Sequence, residues 1–554
     1  MATFLKTAIP CAVPLGFHDL FHKIGCASET LRSKTSFSSF RCARLSLSLS
    51  PERKPREVPL QAGEGTGNEL SEELDIKTLF TLNYKEFIDD DIFYKISQAA
   101  QSLGFPAYVI GGYVRDRLLE RRQPKDIDIV CVGSGIELAQ EVARRTGSRR
   151  VQVFRNFGTA MLHVGAIELE FVGARRESYD RNSRKPVVED GTLEDDQNRR
   201  DFTINALALS LNPQDYGQLL DPFGGIADLH SHLIRTPLDP DITYSDDPLR
   251  MMRAIRFATQ LGFVIEPESF EAIVRNRARL SIISFERITA ELNKILAAPR
   301  PSTGLFLLDK AGLLEYILPE LTALKGTVEK HGQSHKDNFV HTLEVVDNIA
   351  RNTDNLYLRY AALLHDIGKA PTRAWNEKIG WTFHGHEYLG GAKMVPKVFR
   401  RLRLPLGAEL KYVQKLVILS SRPIAVADQG VTDSAVRRLL FDAGEDIGDL
   451  MTLCEADITT KNAARRNKYL RNFSYVRTRM AEVEERDRLA AWQPPVSGQV
   501  IMETFGIAPS PVVGEIKTAI REAILDGAIP NEYGPAFDFM LEEGKKHGLT
   551  PVEK

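Results

Sequence analysis

The chain has 554 residues, 43% apolar and 26% charged. At about 150 residues per domain this is enough for three to four domains, and the near-average composition excludes collagen-like, mucin-like and wholly disordered chains. The formal net charge of −2 excludes a bulk nucleic-acid coat, so any nucleic-acid site must be a local patch.

In chain order, residues 1–50 carry six basic side chains against two acidic ones, eight serines and four threonines. Their apolar stretches are short and broken by proline, as at Ala12-Val13-Pro14-Leu15. That composition suits an organellar transit peptide better than a secretory signal. Residues 1–58 are therefore expected to be an import address, to the chloroplast or alternatively the mitochondrion, with a Pro/Gly/Glu-rich linker over 59–84. Three of the five cysteines fall in the first fifty residues; Cys131 and Cys454 form no disulfide framework and no CxxC metal spacing. No run of 18 apolar residues occurs, so neither a transmembrane helix nor a membrane partner is expected.

An αβ region follows over 85–235. Phe87–Leu103 has helical spacing, Tyr108–Ile110 is a short strand ending in two glycines, and a helix starts near Val114. Ile127–Val132, Val151–Phe154, Ala160–Val164 and Glu168–Val172 are further strands, and residues 174–198 read as a basic, polar loop. The pattern then becomes helical almost throughout: Pro248–Leu261, Pro267–Asn276, Phe285–Leu296 and Ser302–Ala311 within 236–330, a second helical block over 331–462, and a basic helix and tail over 463–554.

The sharpest chemical feature is Asp126-Ile127-Asp128-Ile129. On a strand, residues i and i+2 share a face, so both carboxylates project together while the isoleucines enter the core. Like charges that close raise each other's pKa unless a cation intervenes, and oxygen ligands of this kind suit Mg2+. Just upstream, Gly111-Gly112 leave a strand and enter a helix, where backbone N–H groups can approach a phosphate.

Gly111-Gly112-Tyr113-Val114-Arg115-Asp116, nine intervening residues, then Asp126-Ile127-Asp128 resembles the catalytic signature of the class II tRNA nucleotidyltransferase/poly(A) polymerase family. The resemblance continues in order. Arg199-Arg200-Asp201-Phe202-Thr203-Ile204-Asn205-Ala206 is similar to the motif that contacts the triphosphate and ribose. Asp221-Pro222-Phe223-Gly224-Gly225 with Asp228-Leu229 is similar to the hinge motif. Asp246-Asp247-Pro248-Leu249-Arg250-Met251-Met252-Arg253 is similar to the nucleotide-selecting motif, an acid and an arginine three apart that would share one side of a helix. Glu286-Arg287-Ile288 with Glu291-Leu292 is similar to the last. The resemblance implies an α+β fold: a polymerase-β-like nucleotidyltransferase head, then an all-α neck, body, HD-type helical domain and small helical tail. It implies Asp126, Asp128 and Glu170 as Mg2+-holding catalytic acids, and Gly111, Gly112, Arg115, Arg200, Asp201, Asn205, Asp247, Arg250 and Arg253 as nucleotide-binding residues.

His341, His365-Asp366 within Leu363-Leu364-His365-Asp366-Ile367-Gly368-Lys369, His384, His386 and Asp457 resemble an HD domain. Imidazole and carboxylate together suit a transition metal. His341, His365, Asp366 and Asp457 are each expected on a helix, turned inward to a single metal. Ser420-Ser421 stand where some relatives carry a histidine, which argues against a dinuclear centre. In the basic helix, Arg465, Arg466, Lys468 and Arg471 are interleaved with aromatic residues, and cations with stacking rings suit RNA.

The leading functional reading is template-independent addition of CCA, from CTP and ATP, to tRNA 3′ ends. The rivals are a poly(A) polymerase acting on RNA 3′ ends, an RNA-binding metal phosphohydrolase of HD type, and a non-catalytic RNA-binding scaffold. The intact Asp126/Asp128 pair argues against the last two. Nothing in the sequence calls for an obligate protein partner.

Overall fold

The computed structural model describes residues 83–552, apart from breaks at 122–125, 149, 156–157, 179–186, 328, 331–332, 335–336, 429–431 and 488–494. The expected import address, most of the linker and the loop cations Arg181, Arg184 and Lys185 lie outside the described residues.

The first helix, α1 (Asp91–Leu103), buries Ile92, Phe93, Ile96, Ala99 and Ala100 at helical spacing and stops at Gly104, whose φ of +72° is left-handed. Glycine takes that conformation without a Cβ penalty. The helix starts four residues later than its apolar spacing suggests, because Lys85–Phe87 forms a separate 3-10 turn. The chain continues through β1 (Ala107–Ile110), α2 (Gly112–Leu118), β2 (Asp126–Cys131), α3 (Gly135–Thr146), β3 (Val151–Phe154), β4 (Thr159–Val164) and β5 (Ile167–Gly173). A hairpin of β6 (Arg175–Ser178) and β7 (Val187–Asp190) and the helix α4 (Leu193–Asn198) follow, so the expected loop over 174–198 has ordered flanks. The short strands β8 (Ala208–Ser210) and β9 (Leu219–Leu220), which the sequence reading missed, complete a seven-stranded sheet of order β3-β4-β5-β2-β1-β8-β9. Within it β2 and β5 run parallel, and their register sets Asp126 beside Glu168 and Asp128 beside Glu170. Side chains alternate across the sheet. Ile127, Ile129, Leu169 and Phe171 enter the main core, which contains residues of α1 and α3. On the acid-bearing face, Ile110, Val130, Ala174 and Ala208 form a small apolar floor.

The short helix α5 (Gly225–His230) is capped by Asp221, whose carboxylate accepts from the N–H groups of Gly225 and Ile226. Asp228 accepts from Thr203 Oγ1 at 2.6 Å and from Arg235. The hinge-like motif thus works here as a cap and a buried tether between α5 and the Thr203 turn. The neck is helical: α6 (Pro240–Asp246), α7 (Leu249–Leu261), α8 (Pro267–Asn276), α9 (Phe285–Leu296) and α10 (Pro301–Lys310). Phe257 of α7 is the joint between neck and head. Phe202 meets it edge-on at 5.7 Å between ring centroids, and the guanidinium groups of Arg256, Arg115 and Arg253 lie 4.0, 4.9 and 5.7 Å from its ring centroid.

The second block includes α11 (Asn338–Ala350), α12 (Leu356–Leu364), α13 (Val395–Arg401), α14 (Ala408–Leu419), α15 (Asp433–Ala443) and α16 (Ile447–Ala456). A two-stranded hairpin, Ala374–Asn376 with Gly380–Thr382, and a π-helical turn, Leu389–Met394, interrupt the helices. The basic helix α17 (Ala463–Asp487) leads to three tail helices, α18 (Gly498–Phe505), α19 (Pro511–Asp526) and α20 (Tyr533–Lys546). The tail buries its own apolar cluster, with Ile501, Ile516, Ile520 and Met540 at its centre. It meets α15 through Arg438, which pairs with Glu522 at 2.6 Å and Asp526 at 2.8 Å. No helix among the described residues is long and apolar enough to cross a membrane.

Phe257 carries both core area and the ring faces on which buried cations rest. Phe257→Ala should destabilise the protein by about 3–5 kcal/mol, whereas Phe257→Tyr, which keeps the ring, should cost far less; urea unfolding of both variants measures the difference.

Candidate active site

The head site assembles on the polar face of β2 and β5. Burial raises the carboxyl pKa of Asp128; the nearby charge of Arg200 opposes that shift and Asp126 adds to it. The expected repulsion from Asp126 is thus present, but removal from water is the larger cause. Burial also raises Glu170, followed by the charge of Asp128. Asp126, Asp128 and Glu170 share a face, but they do not converge as a closed cage. Among the described residues, only His341, His365 and Asp366 bring three ligand atoms within 4.8 Å of one another. An open carboxylate row fits Mg2+, which takes one or two protein carboxylates and fills its remaining positions with water and substrate phosphate.

Gly111 brings the backbone against these acids. Its φ is +82°, and a methyl group there would stand 3.0 Å from Arg200 Nη1 and 3.4 Å from Asp128 Oδ2. Gly112 opens α2. Arg115, expected to bind nucleotide, is buried instead. It donates to Asn205 Oδ1 at 2.7 Å and to Asp116 at 2.8 Å. Asn205 in turn donates to Asp201 Oδ1 at 2.9 Å, and Arg253 Nε donates to Asp201 Oδ2 at 2.7 Å. These four expected nucleotide-binding residues thus form one chain from head to neck, buried except at its neck end, where Arg253 is partly exposed. Burial alone would raise Asp201; the charge of Arg253 and the hydrogen bonds from Asn205 and Arg253 outweigh it and hold the carboxyl at about 2.

Asp247 and Arg250 do not share a helix face as the spacing suggested. Pro248 starts α7, so Asp247 lies just ahead of it in extended conformation. Its Oδ1 accepts from Leu249 N–H at 3.1 Å, and its Oδ2 stands 3.3 Å from Arg287 on α9. Arg250 donates through Nη2 to the backbone carbonyl of Arg199 at 2.5 Å. Glu291, one turn beyond Arg287, pairs with the buried Arg256 at 2.7 Å.

In the second block His341, His365, Asp366 and Asp457 do converge. His341 alone lies within a helix; His365 ends α12, Asp366 is in the turn after it, and Asp457 ends α16. This corrects the expectation of four helical positions: three of the four sit at or just past helix ends, although His365 and Asp457 keep helical backbone angles. His341 Nε2 lies 2.7 Å from Asp457 Oδ1 and 3.7 Å from Asp366 Oδ2. His365 Nε2 lies 3.3 Å from Asp366 and 3.6 Å from Asp457, without an aligned hydrogen bond to either. The other ring nitrogens are held from outside, His365 Nδ1 by the Ala362 carbonyl at 2.8 Å and His341 Nδ1 by Thr459 Oγ1 at 3.0 Å. That arrangement leaves both Nε2 atoms facing inward, as metal-binding histidines are held. His386 Nε2 is 3.6 Å from Asp366, and Lys369 Nζ pairs with Asp366 at 2.7 Å. His384 is exposed. Burial would lower His365, but Asp366 and Asp457 raise it to about 10, and the same contacts hold both aspartates well below the usual carboxylate range. The donor set, two inward-facing Nε2 atoms and two carboxylates, fits one divalent ion.

Arg465, Arg466, Lys468 and Arg471 lie on the first turns of α17, where every residue from 461 to 471 is exposed. None has an acidic partner among the described residues. Further along the helix Arg477 pairs with Glu455, and Arg479 and Arg486 with Asp433, so the basic residues beyond Arg471 dock the helix.

The fold and both centres agree with known proteins. Residues 107–235 match the family described as "Poly A polymerase head domain", 262–325 that described as "Probable RNA and SrmB- binding site of polymerase A", and 338–459 the HD domain. An A-adding tRNA nucleotidyltransferase of Deinococcus radiodurans is 36% identical over 344 residues, 60% of this chain and 75% of that protein. A multifunctional CCA protein of Shewanella frigidimarina is 30% identical over 376 residues, 65% of this chain and 86% of that protein. The crystal structure of the Bacillus stearothermophilus CCA-adding enzyme with CTP superposes with a TM-score of 0.57 at 25% identity, covering 83% of this chain and 99% of that one. The chain belongs to the tRNA nucleotidyltransferase/poly(A) polymerase family, and it is an enzyme of the tRNA nucleotidyltransferase kind.

The buried Asp201 carboxylate stabilises the fold above its unfolded pKa near 3.8, and that contribution is lost as pH falls toward 2. Asp201→Asn should cost about 2 kcal/mol or more at pH 7. The gap between wild type and variant should narrow as the pH of urea titrations drops from 5 toward 3.

Proposed function

We propose that this protein adds CMP and AMP residues, without a template, to the 3′ end of tRNA to build CCA. The observation that carries the reading is the parallel register of β2 and β5, which sets Asp128 beside Glu170 with Asp126 on the same face, in a head whose Gly111 and Arg200 close on Asp128. Relatives are named for adding A, adding CC or adding CCA, and that naming favours tRNA addition over poly(A) synthesis.

Asp126 and Asp128, with Glu170 alongside, are the residues that would hold Mg2+. Bound there, Mg2+ supplies a Lewis acid for the attacking 3′ hydroxyl and a counter-charge for the leaving pyrophosphate. Arg200 brings fixed positive charge to the triphosphate side of the site, where it needs no reorganisation during reaction. Gly111 leaves room for the α-phosphate to approach the backbone. Asp247 and Arg250 present an acceptor and donors to the base edge; to do so Asp247 must share its carboxylate with Arg287, while Arg250 keeps Nη2 on the Arg199 carbonyl and offers its remaining N–H groups. The exposed cations at the start of α17 supply an RNA-backbone patch, and the His341/His365/Asp366/Asp457 centre takes a single transition metal that nucleotide addition does not require. Residues 1–58 direct import into the chloroplast, with the mitochondrion as the alternative.

Purified protein from about residue 60, offered tRNA lacking its 3′ CCA, should incorporate label from CTP and then from ATP. Incorporation of AMP alone, of CMP alone, or of long adenylate tracts would replace this reading. Outer partners of metal ligands typically contribute 10–100-fold, so Asp126→Ala and Asp128→Ala should each cut incorporation by more than about a hundredfold while far-UV dichroism and melting stay near wild type. A reporter fused to residues 1–60 should enter plastids; a diffuse cytosolic signal would count against the address.

A further inference from the structure

Asp196 is the buried acid that none of the site motifs accounts for. Its side chain is fully shielded from water, and it sits on α4 between two arginines that face different halves of the site. Oδ1 accepts from Arg199 Nε at 3.0 Å, and Oδ2 accepts from Arg200 Nε at 3.2 Å. Arg200 packs against Gly111 and Asp128, on the metal and triphosphate side. Arg199 ends α4, and its backbone carbonyl receives the guanidinium of Arg250 at 2.5 Å, on the base side. The two halves belong to different parts of the fold, Asp128 to the head sheet and Arg250 to the neck helix α7.

We propose that Asp196 is a positioning residue that couples nucleotide selection to triphosphate binding: by gripping Arg199 and Arg200 together it fixes, from one buried carboxylate, both the cation beside Asp128 and the carbonyl that holds Arg250. The proposal rests on the nucleotidyltransferase reading above. Its physical basis is that a buried carboxylate carrying two guanidinium groups cannot relax on one side alone. Movement of either arginine leaves an uncompensated charge out of water, so the Arg199 carbonyl and the Arg200 side chain are held in a fixed relation. Arg250 reads the base from a place set by that carbonyl, and a polar site that loses its alignment loses discrimination. The sequence conceals this role, since Glu194-Asp195-Asp196 has the composition of a solvated acidic run.

The coupling separates by substitution. Arg199→Gln leaves the Asp196–Arg200 pair intact and frees only the base side. Its expected effect is at least a threefold change in the CTP-to-ATP ratio of kcat/KM, with KM for the favoured nucleotide near wild type. In the Arg250→Ala background the same substitution should leave the ratio unchanged, because the group it positions is gone. Asp196→Asn should move both halves, raising KM at least tenfold for CTP and ATP and shifting their ratio, and Asp196→Glu should restore part of each. The measurement is single-nucleotide incorporation with each triphosphate separately, on tRNA lacking the whole triplet and on tRNA ending in CC. An unchanged ratio in Arg199→Gln, or an equal change with and without Arg250, would overturn the proposal. So would an Asp196→Asn protein that is slower with both nucleotides to the same degree at unchanged KM. If Asp196→Asn does not fold, the Arg199→Gln comparison decides alone. Wild-type protein that incorporates neither nucleotide would refute the functional reading instead.

Discussion

A guanidinium group stays charged at every physiological pH, so burying one without a partner is costly. In this molecule Arg115 and Arg256 are nonetheless withdrawn from water at the junction of head and neck, with the partly exposed Arg253 beside them. Arg115, Arg253 and Arg256 surround one phenyl ring, Phe257, and each is answered by a polar partner: Asn205 and Asp116 for Arg115, Asp201 for Arg253, Glu291 for Arg256. Removing one partner would strand a charge in a space without water, and that cost ties the helices of the neck to the sheet of the head. The carboxylate-bearing face can then be built from two strands and two glycines, because the surrounding geometry is already fixed.

This junction also explains why much of the candidate site is not free to meet a ligand. Arg115, Asn205, Asp201 and Arg253 are committed to one another, and Asp221 and Asp228 to capping and tethering. Asp128 and Asp247 remain as groups with a reason to change partner. Residues that a motif presents as one set thus divide into a frame and a smaller group that can exchange contacts. The division follows burial: Asp201 is shielded and held at about 2 by its cation, whereas burial raises Asp128 and Arg200 only partly offsets it.

The carboxylate pair was legible in the sequence because two-residue alternation along a strand is unambiguous when isoleucines fill the intervening positions. The helices of the neck were legible for the same kind of reason, with prolines at Pro267 and Pro301 marking first turns. Asp247 was misplaced because its spacing to Arg250 is helical, while Pro248 between them moves the helix start beyond it. The His365-Asp366 turn was misread because a buried apolar run continues to Ile367, past the point where α12 ends. Strands β8 and β9 are too short to show a period. Asp196 could not be told from its solvated acidic neighbours, since burial is decided by tertiary packing and not by residue type.

The tail offers a different kind of lesson. Helices α18 to α20 carry a private apolar core, and α15 meets them largely through charge, Arg438 with Glu522 and Asp526, beside Arg521 lying over the Phe441 ring. Apolar cohesion inside the tail is nearly indifferent to ionic strength, while charged contacts at a surface are screened as salt rises. Raising the salt concentration would therefore weaken the Arg438 pairs while leaving the tail's own core in place.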